Sequence, residues 1–286
     1  MRILVVGDFH GKFPEKIEKV VVKENVDIVI SVGDYLPFSY RKMWFKYCFA
    51  QDRELWEVIG KKKYKRLVDA DLKGGEDILK KLNKLPARVL TVLGNVDYPL
   101  AGDVMDEKKP NGKRFWKWDW DRPEEFIKIL GKYKNIERID YSYSKYKDFI
   151  FIGMRGHSFP GHVKSRGYKK HKIILERLFR KFNRENKEKK VIFVSHNVPF
   201  RSGLDKINIK AHKRVRRRYG GSKLARAIIQ RYQPILAIGG HIHEGKGKKK
   251  MRKTLVVNSG STGHGDFVLI EIDDKTGKLK KVEFRR

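Results

Sequence analysis

The sequence predicts an α/β fold, and three observations carry that prediction. Short apolar runs with the composition of buried strands alternate with amphipathic stretches of helical period. Each of the first three runs ends in glycine followed by an aspartate or asparagine, at the strand ends where open α/β sheets place their chemistry. An apolar share of 40%, with 12% aromatic residues, supplies a core for one large or two ordinary domains in 286 residues.

In chain order, residues 2–6 read as the first strand, followed by Gly7, Asp8, Phe9, His10 and Gly11. Alternate residues of an extended backbone point the same way, so Asp8 and His10 converge just beyond the strand. A turn aspartate accounts for the same short pattern. Residues 12–25 carry an apolar helical face of Phe13, Ile17, Val20 and Val21. Residues 27–32 form a second strand, ending in Gly33 and Asp34, and complete a β-α-β unit.

Residues 36–70 read as a helical insertion folded over one edge, rich in aromatics (Trp44, Phe45, Tyr47, Phe49, Trp56) and followed by Lys61, Lys62 and Lys63. Aromatic clusters pack such an insertion onto the body; the same aromatic and basic mixture can also stack and hold nucleic acid. A helix is expected over 71–85, with Gly74 and Gly75 weakening its first half. Residues 88–93 are the third strand, ending in Gly94, Asn95, Val96 and Asp97. Turn chemistry explains any one of these endings, and explains three in succession poorly.

Residues 98–121 are rich in Pro, Gly and charge, with Trp116, Trp118 and Trp120, and read as a surface loop or second small insertion. A short helix follows over 123–132, with Asp121 as its cap and Pro123 in its first turn. Residues 149–153 are a fourth strand, leading to Arg155 and His157; 172–187 a basic helix; 191–194 a fifth strand, followed by Ser195, His196 and Asn197. A helix over 222–232 leads to a sixth strand, 235–238, and then to His241 and His243. Runs at 255–257, 267–272 and 279–284 have antiparallel hairpin character, with a turn at 274–277. No repeat or flexible linker divides the chain. The expectation is one domain over 1–286, with insertions at about 36–70 and 98–121.

Lys and Arg number 67 against 34 Asp and Glu, a formal net charge of +33. Such an excess favours polyanions, nucleic acid or anionic surfaces. A thermophile surface accounts for many charges and for the scarcity of Gln and Cys, but it predicts matching acids. It explains part of the excess and not its sign. One cysteine, Cys48, excludes an intramolecular disulfide framework and suits a reducing compartment. No apolar run approaches a membrane span and no signal-peptide pattern opens the chain, so a cytoplasmic protein is expected.

Collected, the strand ends offer Asp8, His10, Asp34, Asn95, His196, His241 and His243. Oxygen and nitrogen donors without thiolate suit Mn, Fe, Zn, Co or Ni. The order D-x-H, G-D, G-N-x-D, H, G-H-x-H, running from residue 8 to 243, resembles the calcineurin-like metallophosphoesterases. The segments 195–199, 240–244 and 258–261 look most like the small archaeal and bacterial members, nearer the phosphodiesterase branch than the protein phosphatases. The resemblance implies a four-layer α/β-β/α sandwich of two mixed sheets flanked by helices. It implies two divalent metal ions bridged by Asp34, one held by Asp8, His10 and His243, the other by Asn95, His196 and His241. It also implies catalytic roles for Asp34, Asn95, Asp97 and His196 in hydrolysing a phosphate ester through a metal-bridging hydroxide.

Val96 departs from the family pattern, where many members carry histidine that aids the leaving group. That leaves the general acid unassigned, with His157 and His264 the nearest candidates and Arg155 a further phosphate-binding candidate. The basic runs at 206–218 and 246–253 follow two of the histidine blocks and read either as solvated faces or as a positive rim for a polyanion. The function expected is a phosphodiesterase acting on a nucleotide or nucleic acid. A phosphomonoesterase and a non-catalytic binding module on the same fold are the alternatives.

Overall fold

A computed structural model describes residues 1–49, 51–107, 115–185, 190–213 and 215–286. Part of the expected insertion, 108–114, the last two residues of the expected 172–187 helix, and Arg214 of the basic run lie outside the described residues.

Two six-stranded sheets face each other. The first is ordered β12-β11-β1-β2-β3-β4, from β1 (Arg2–Val6), β2 (Ile28–Ser31), β3 (Arg88–Thr91), β4 (Ile136–Arg138), β11 (Phe267–Ile272) and β12 (Leu279–Arg285). β1 through β4 run parallel, while β11 and β12 are antiparallel. The second is ordered β5-β6-β7-β8-β10-β9, from β5 (Tyr143–Tyr146), β6 (Phe149–Met154), β7 (Val191–Asn197), β8 (Leu236–Gly240), β9 (Gly247–Met251) and β10 (Thr254–Asn258). Its four inner strands are parallel and its two edges antiparallel.

Strand alternation builds the layers. Ile3 and Val5 of β1 face Phe149, Phe151, Ile192 and Ile238 of the other sheet, in a core made wholly between sheets. Leu4 and Val6 face the opposite way, under helices α1 (Lys16–Lys23), α4 (Lys61–Asn83) and α5 (Lys117–Leu130). Helices α6 (Arg166–Glu185) and α7 (Lys223–Tyr232) cover the outer face of the second sheet. The result is helix, sheet, sheet, helix: the expected four-layer sandwich.

Among its described residues the segment 36–70 is mainly helical, with α2 (Arg41–Tyr47) and α3 (Leu55–Ile59) preceding α4. Its core of Tyr40, Cys48, Leu55, Trp56, Tyr64 and Val68 is joined by Trp116 and Trp118, so residues of both expected insertions pack together. Several boundaries differ from expectation. α4 begins at Lys61 rather than at 71; three lysines carry no apolar signal, but the buried period of Tyr64, Val68, Asp71, Gly75 and Leu79 starts directly after them. Gly74 and Gly75 fit this helix because a side chain at either would run into Pro37 and Leu36, just past Asp34. α5 begins at Lys117, Asp121 is not its cap, and Pro123 lies inside it. Packing of Trp116 and Trp118 against Trp56 and Tyr64 sets that start, overriding the local cap signal. The short strands β4 and β5 had no sequence reading.

Candidate metal centre

β1, β2, β3 and β8 all deliver ligand candidates from their C-terminal ends, but not by strand alternation. Asp8, His10, Asp34 and His241 have φ of 50°, 46°, 57° and 71°. This is the left-handed region that few non-glycine residues adopt. Asp8 and His10 therefore converge through a left-handed turn after Val6, not through an extended backbone. Hydrogen bonds hold that turn in place. Asp8 N–H donates to the Gly33 carbonyl and His10 N–H to the Asp34 carbonyl, while Ser261 Oγ–H and Gly263 N–H donate to the Asp8 carbonyl. Thr262 Oγ1 accepts from Gly7 N–H. His196, expected beyond a strand, lies within β7 at a bulge: Val194 pairs with Ile238, and Asn197, three on, pairs with Gly240, two on. The extra residue re-aims the imidazole.

Two groups of donors result: Asp8, His10 and His243, and Asp34, His196 and His241, with the ligand atoms of each group within 4.8 Å of one another. In the first, His243 Nε2 is 3.1 Å from Asp8 Oδ1 and 3.3 Å from His10 Nε2. In the second, His196 Nε2 is 3.0 Å from Asn95 Oδ1 and 3.2 Å from His241 Nδ1. Asp34 Oδ2 stands between them, 3.9 Å from His10 Nε2 and 3.5 Å from His196 Nε2. All seven ligand candidates thus meet in one place.

This donor set fits two cations. Imidazole and carboxylate donors on one ion at about 2.1 Å lie about 3 Å apart across a right angle. The groups also differ in access. Asp34 and His196 are 4% and 0% exposed in their side chains, whereas His10 and His243 are 24% and 25% exposed. With two part-exposed imidazoles against one, the first group is the more open of the two.

Hydrogen bonds from the surroundings aim the donors. His196 Nδ1–H donates to the Val32 carbonyl at 2.7 Å, which leaves Nε2 free of hydrogen and directed inward. Val96 N–H donates to Asp34 Oδ1 at 2.8 Å, leaving Oδ2 for the gap between groups. The departure at position 96 does not touch that bond, since it is made by the backbone. Asp97 accepts from the N–H groups of Asp34, Tyr35 and Gly94 at 2.7–2.9 Å and points away from the donor gap. Burial, with Asp34 nearby, pushes its carboxyl up to about 7.

Burial pushes His10 and His241 down, the latter with help from His196. Burial acts against the charged form of His243 and His196 as well, but Asp8 holds the first up and Asp34 the second. Asp8 itself lies below the usual carboxylate range: burial opposes that, and the His243 hydrogen bond together with the charges of His243, His196 and His10 outweighs it. These are proton-binding positions that a cation would take over.

The other candidates lie elsewhere. His157 is buried, bonded through Nε2 to Ser222 Oγ at 3.0 Å, and burial lowers it to about 4. His264 is exposed, its ring 5.9 Å from that of His243. Arg155 is engaged by Asp103 through Nε and Nη2 and stacked on Tyr98, with its centre 3.4 Å from the ring. Of the basic runs, 246–253 contains the edge strand β9, and Lys246 just before it is paired to Asp266. The run at 206–218 is tied to the ligand loop instead: Asn208 N–H donates to Glu244 Oε1 at 2.6 Å.

Sequence reasoning passed over Arg41, exposed at the start of α2, whose positive charge acts on both His10 and His243. It also passed over Thr262. The aromatic insertion pointed toward the first, and the small polar residues after Asn258 toward the second.

A family model described as calcineurin-like phosphoesterase matches residues 1–245. Among solved structures, one chain is 20% identical, with 99% of this chain and 98% of that one covered, at a TM-score of 0.66. TT1561 of Thermus thermophilus is 15% identical over 99% and 97% of the two chains, with a TM-score of 0.53. A dimetal phosphatase from Danio rerio is 10% identical over 94% and 92%, also with a TM-score of 0.53. These structures share the fold. No curated protein matches the chain.

Proposed function

The chain belongs to the calcineurin-like phosphoesterase family, and on that premise we propose that it is a two-cation phosphodiesterase. The observation that carries this reading is Asp34 Oδ2, placed between two groups of nitrogen and oxygen donors. Asp8, His10 and His243 would hold one divalent cation, Asn95, His196 and His241 the other, and Asp34 both. Bound there, two cations supply positive charge to phosphate oxygens and make water acidic enough to attack phosphorus at neutral pH.

The residues of the chain set the conditions for that chemistry. Val32 and Val96 fix His196 and Asp34 through their backbone groups. Asp97 gathers the backbone N–H groups of the Asp34 and Asn95 loops. Arg41, with no carboxylate partner among the described residues, offers a guanidinium to a phosphate oxygen on the open side. Val96 packs on the core instead of presenting an acid. This favours a phosphate ester whose leaving group departs without protonation by residue 96, and the positive rim favours a diester within a polyanion.

A non-catalytic module is disfavoured because every ligand position of the family pattern is filled. The test is hydrolysis of bis(p-nitrophenyl) phosphate and of p-nitrophenyl phosphate by one preparation with Mn, Zn, Co or Ni added. Diester turnover above monoester turnover is expected. The reverse order makes the protein a phosphomonoesterase, and no turnover of either with metal bound refutes catalysis.

A further inference from the structure

Between Asp205 and Asp266 the sequence holds sixteen lysines and arginines and one acid, Glu244. That acid is already engaged by Asn208 N–H. Two of these cations find acids from outside the stretch, Arg231 with Glu176 and Lys246 with Asp266. Lys213, Arg216, Arg217 and Arg218 are exposed and make no ion pair among the described residues.

The described residues of this basic loop are anchored at its base. Lys206 bridges Tyr219, and Ile207 exchanges backbone bonds with Arg217 and Arg218. Its base is attached to the ligand loop twice, through the Asn208–Glu244 bond and through Gly220, where a side chain would collide with Ile242 between His241 and His243. Its far side meets the aromatic insertion: the His212 ring lies 5.5 Å from Phe45 and 5.4 Å from Phe49. Phe45 and Phe49 are 5.0 Å apart and only half-buried, and the Arg41 guanidinium sits 5.5 Å from the centre of Phe45. A row of rings with cations on both sides thus runs from the basic loop to the open donor group.

Rings beside a cationic track bind unpaired bases and their phosphates together, whereas a duplex hides its base faces. We propose that single-stranded nucleic acid lies across Phe45, Phe49 and His212, with its phosphates on Arg41 and Arg216–Arg218, and is the polyanion whose phosphodiester reaches the metal centre; this rests on the phosphodiesterase reading above.

Fluorescence anisotropy with labelled dT20, rU20 and a blunt 20-base-pair duplex tests it. The protein is the Asp34→Asn variant, which should leave strands intact, with the wild-type chain in EDTA as a second form. A single strand should bind at least about 10-fold more tightly than the duplex, and the tighter of dT20 and rU20 identifies the natural strand. Its affinity should fall with salt by about 0.7 log units per phosphate contacted, and replacing Arg216, Arg217 and Arg218 by alanine should reduce that slope by about 2. Phe45→Leu should weaken single-strand binding about 5-fold or more. Equal or tighter duplex binding, indifference to Phe45→Leu, or no binding at low salt overturns the inference. Wild-type turnover of bis(p-nitrophenyl) phosphate, measured in parallel, separates the two claims. Turnover without strand binding refutes this inference alone, whereas strand binding without turnover refutes the phosphodiesterase and, with it, the strand as substrate, and upholds the binding surface.

Discussion

His196 donates its Nδ1–H to the carbonyl of Val32 at 2.7 Å, and Val32 lies two residues before Asp34. One backbone group of the first sheet thus fixes the tautomer of a ligand candidate from the second. The two sheets are registered to each other at the point where their donors meet.

Gly156 offers a direct way to disturb that imidazole. An alanine Cβ there would lie 2.5 Å from His196 Cδ2, although the backbone of Gly156 is one that alanine adopts. Gly156→Ala should lower cation affinity about 10- to 100-fold, the range for loss of an orienting contact. Isothermal titration with Mn or Zn measures it, with circular dichroism expected to stay unchanged.

Asp34→Asn removes the oxygen shared by the two donor groups. Bound metal should fall below two ions per chain by elemental analysis, and diester hydrolysis should drop at least about 100-fold. Retention of both ions in the variant would mean that Asp34 is not shared.

Chelation should soften the fold. The donors crowd at 3.0–3.3 Å with carboxylates and imidazoles in contact, so an ion that binds only the folded chain adds stability. The melting temperature should drop in EDTA and return with added divalent metal, rising further with metal concentration.

Asp97→Asn replaces a carboxylate that accepts backbone N–H groups on both of its oxygens with a side chain that has one acceptor and an amide donor. Orphaned buried N–H groups cost about 1–3 kcal/mol each. A loss of about 2–4 kcal/mol in urea unfolding is expected, with Tyr35 or Asp34 N–H left without its partner.

His157 gives a pH dependence with a defined sign. Burial depresses its folded value to about 4, below the value near 6.5 of an unfolded histidine. Its contribution is therefore complete above pH 6.5 and disappears as pH falls through 4, because the unfolded chain takes up the proton first. The loss is about 3 kcal/mol. Urea midpoints measured between pH 7 and pH 4 should fall more steeply for wild type than for His157→Gln.

Much of the site was legible because its residues follow strands whose apolar runs are short and uninterrupted. Glycine before Asp34 and Asn95 marked the turns. What alternation suggested for Asp8 and His10 came from left-handed backbone instead, a conformation enforced by partners at residues 33, 34 and 261–263 that are distant in sequence. The bulge that aims His196 depends on β8 and has no local signature. The start of α5 was hidden for a related reason: Trp116 and Trp118 find their partners in a different insertion. Arg41 carries meaning only once α2 is seen beside His10 and His243.

The family pattern ends at residue 245, yet β10 lies against β8 and β11 against β1, inside their sheets. The last stretch of chain is therefore the inner neighbour of the strands that deliver Asp8 and His241. A copy shortened after the matched region would not be a smaller enzyme. It would carry two bare edges beside its ligand loops, each a template for another chain. Variation in length among related chains should accordingly collect in the helical insertions and spare the final strands.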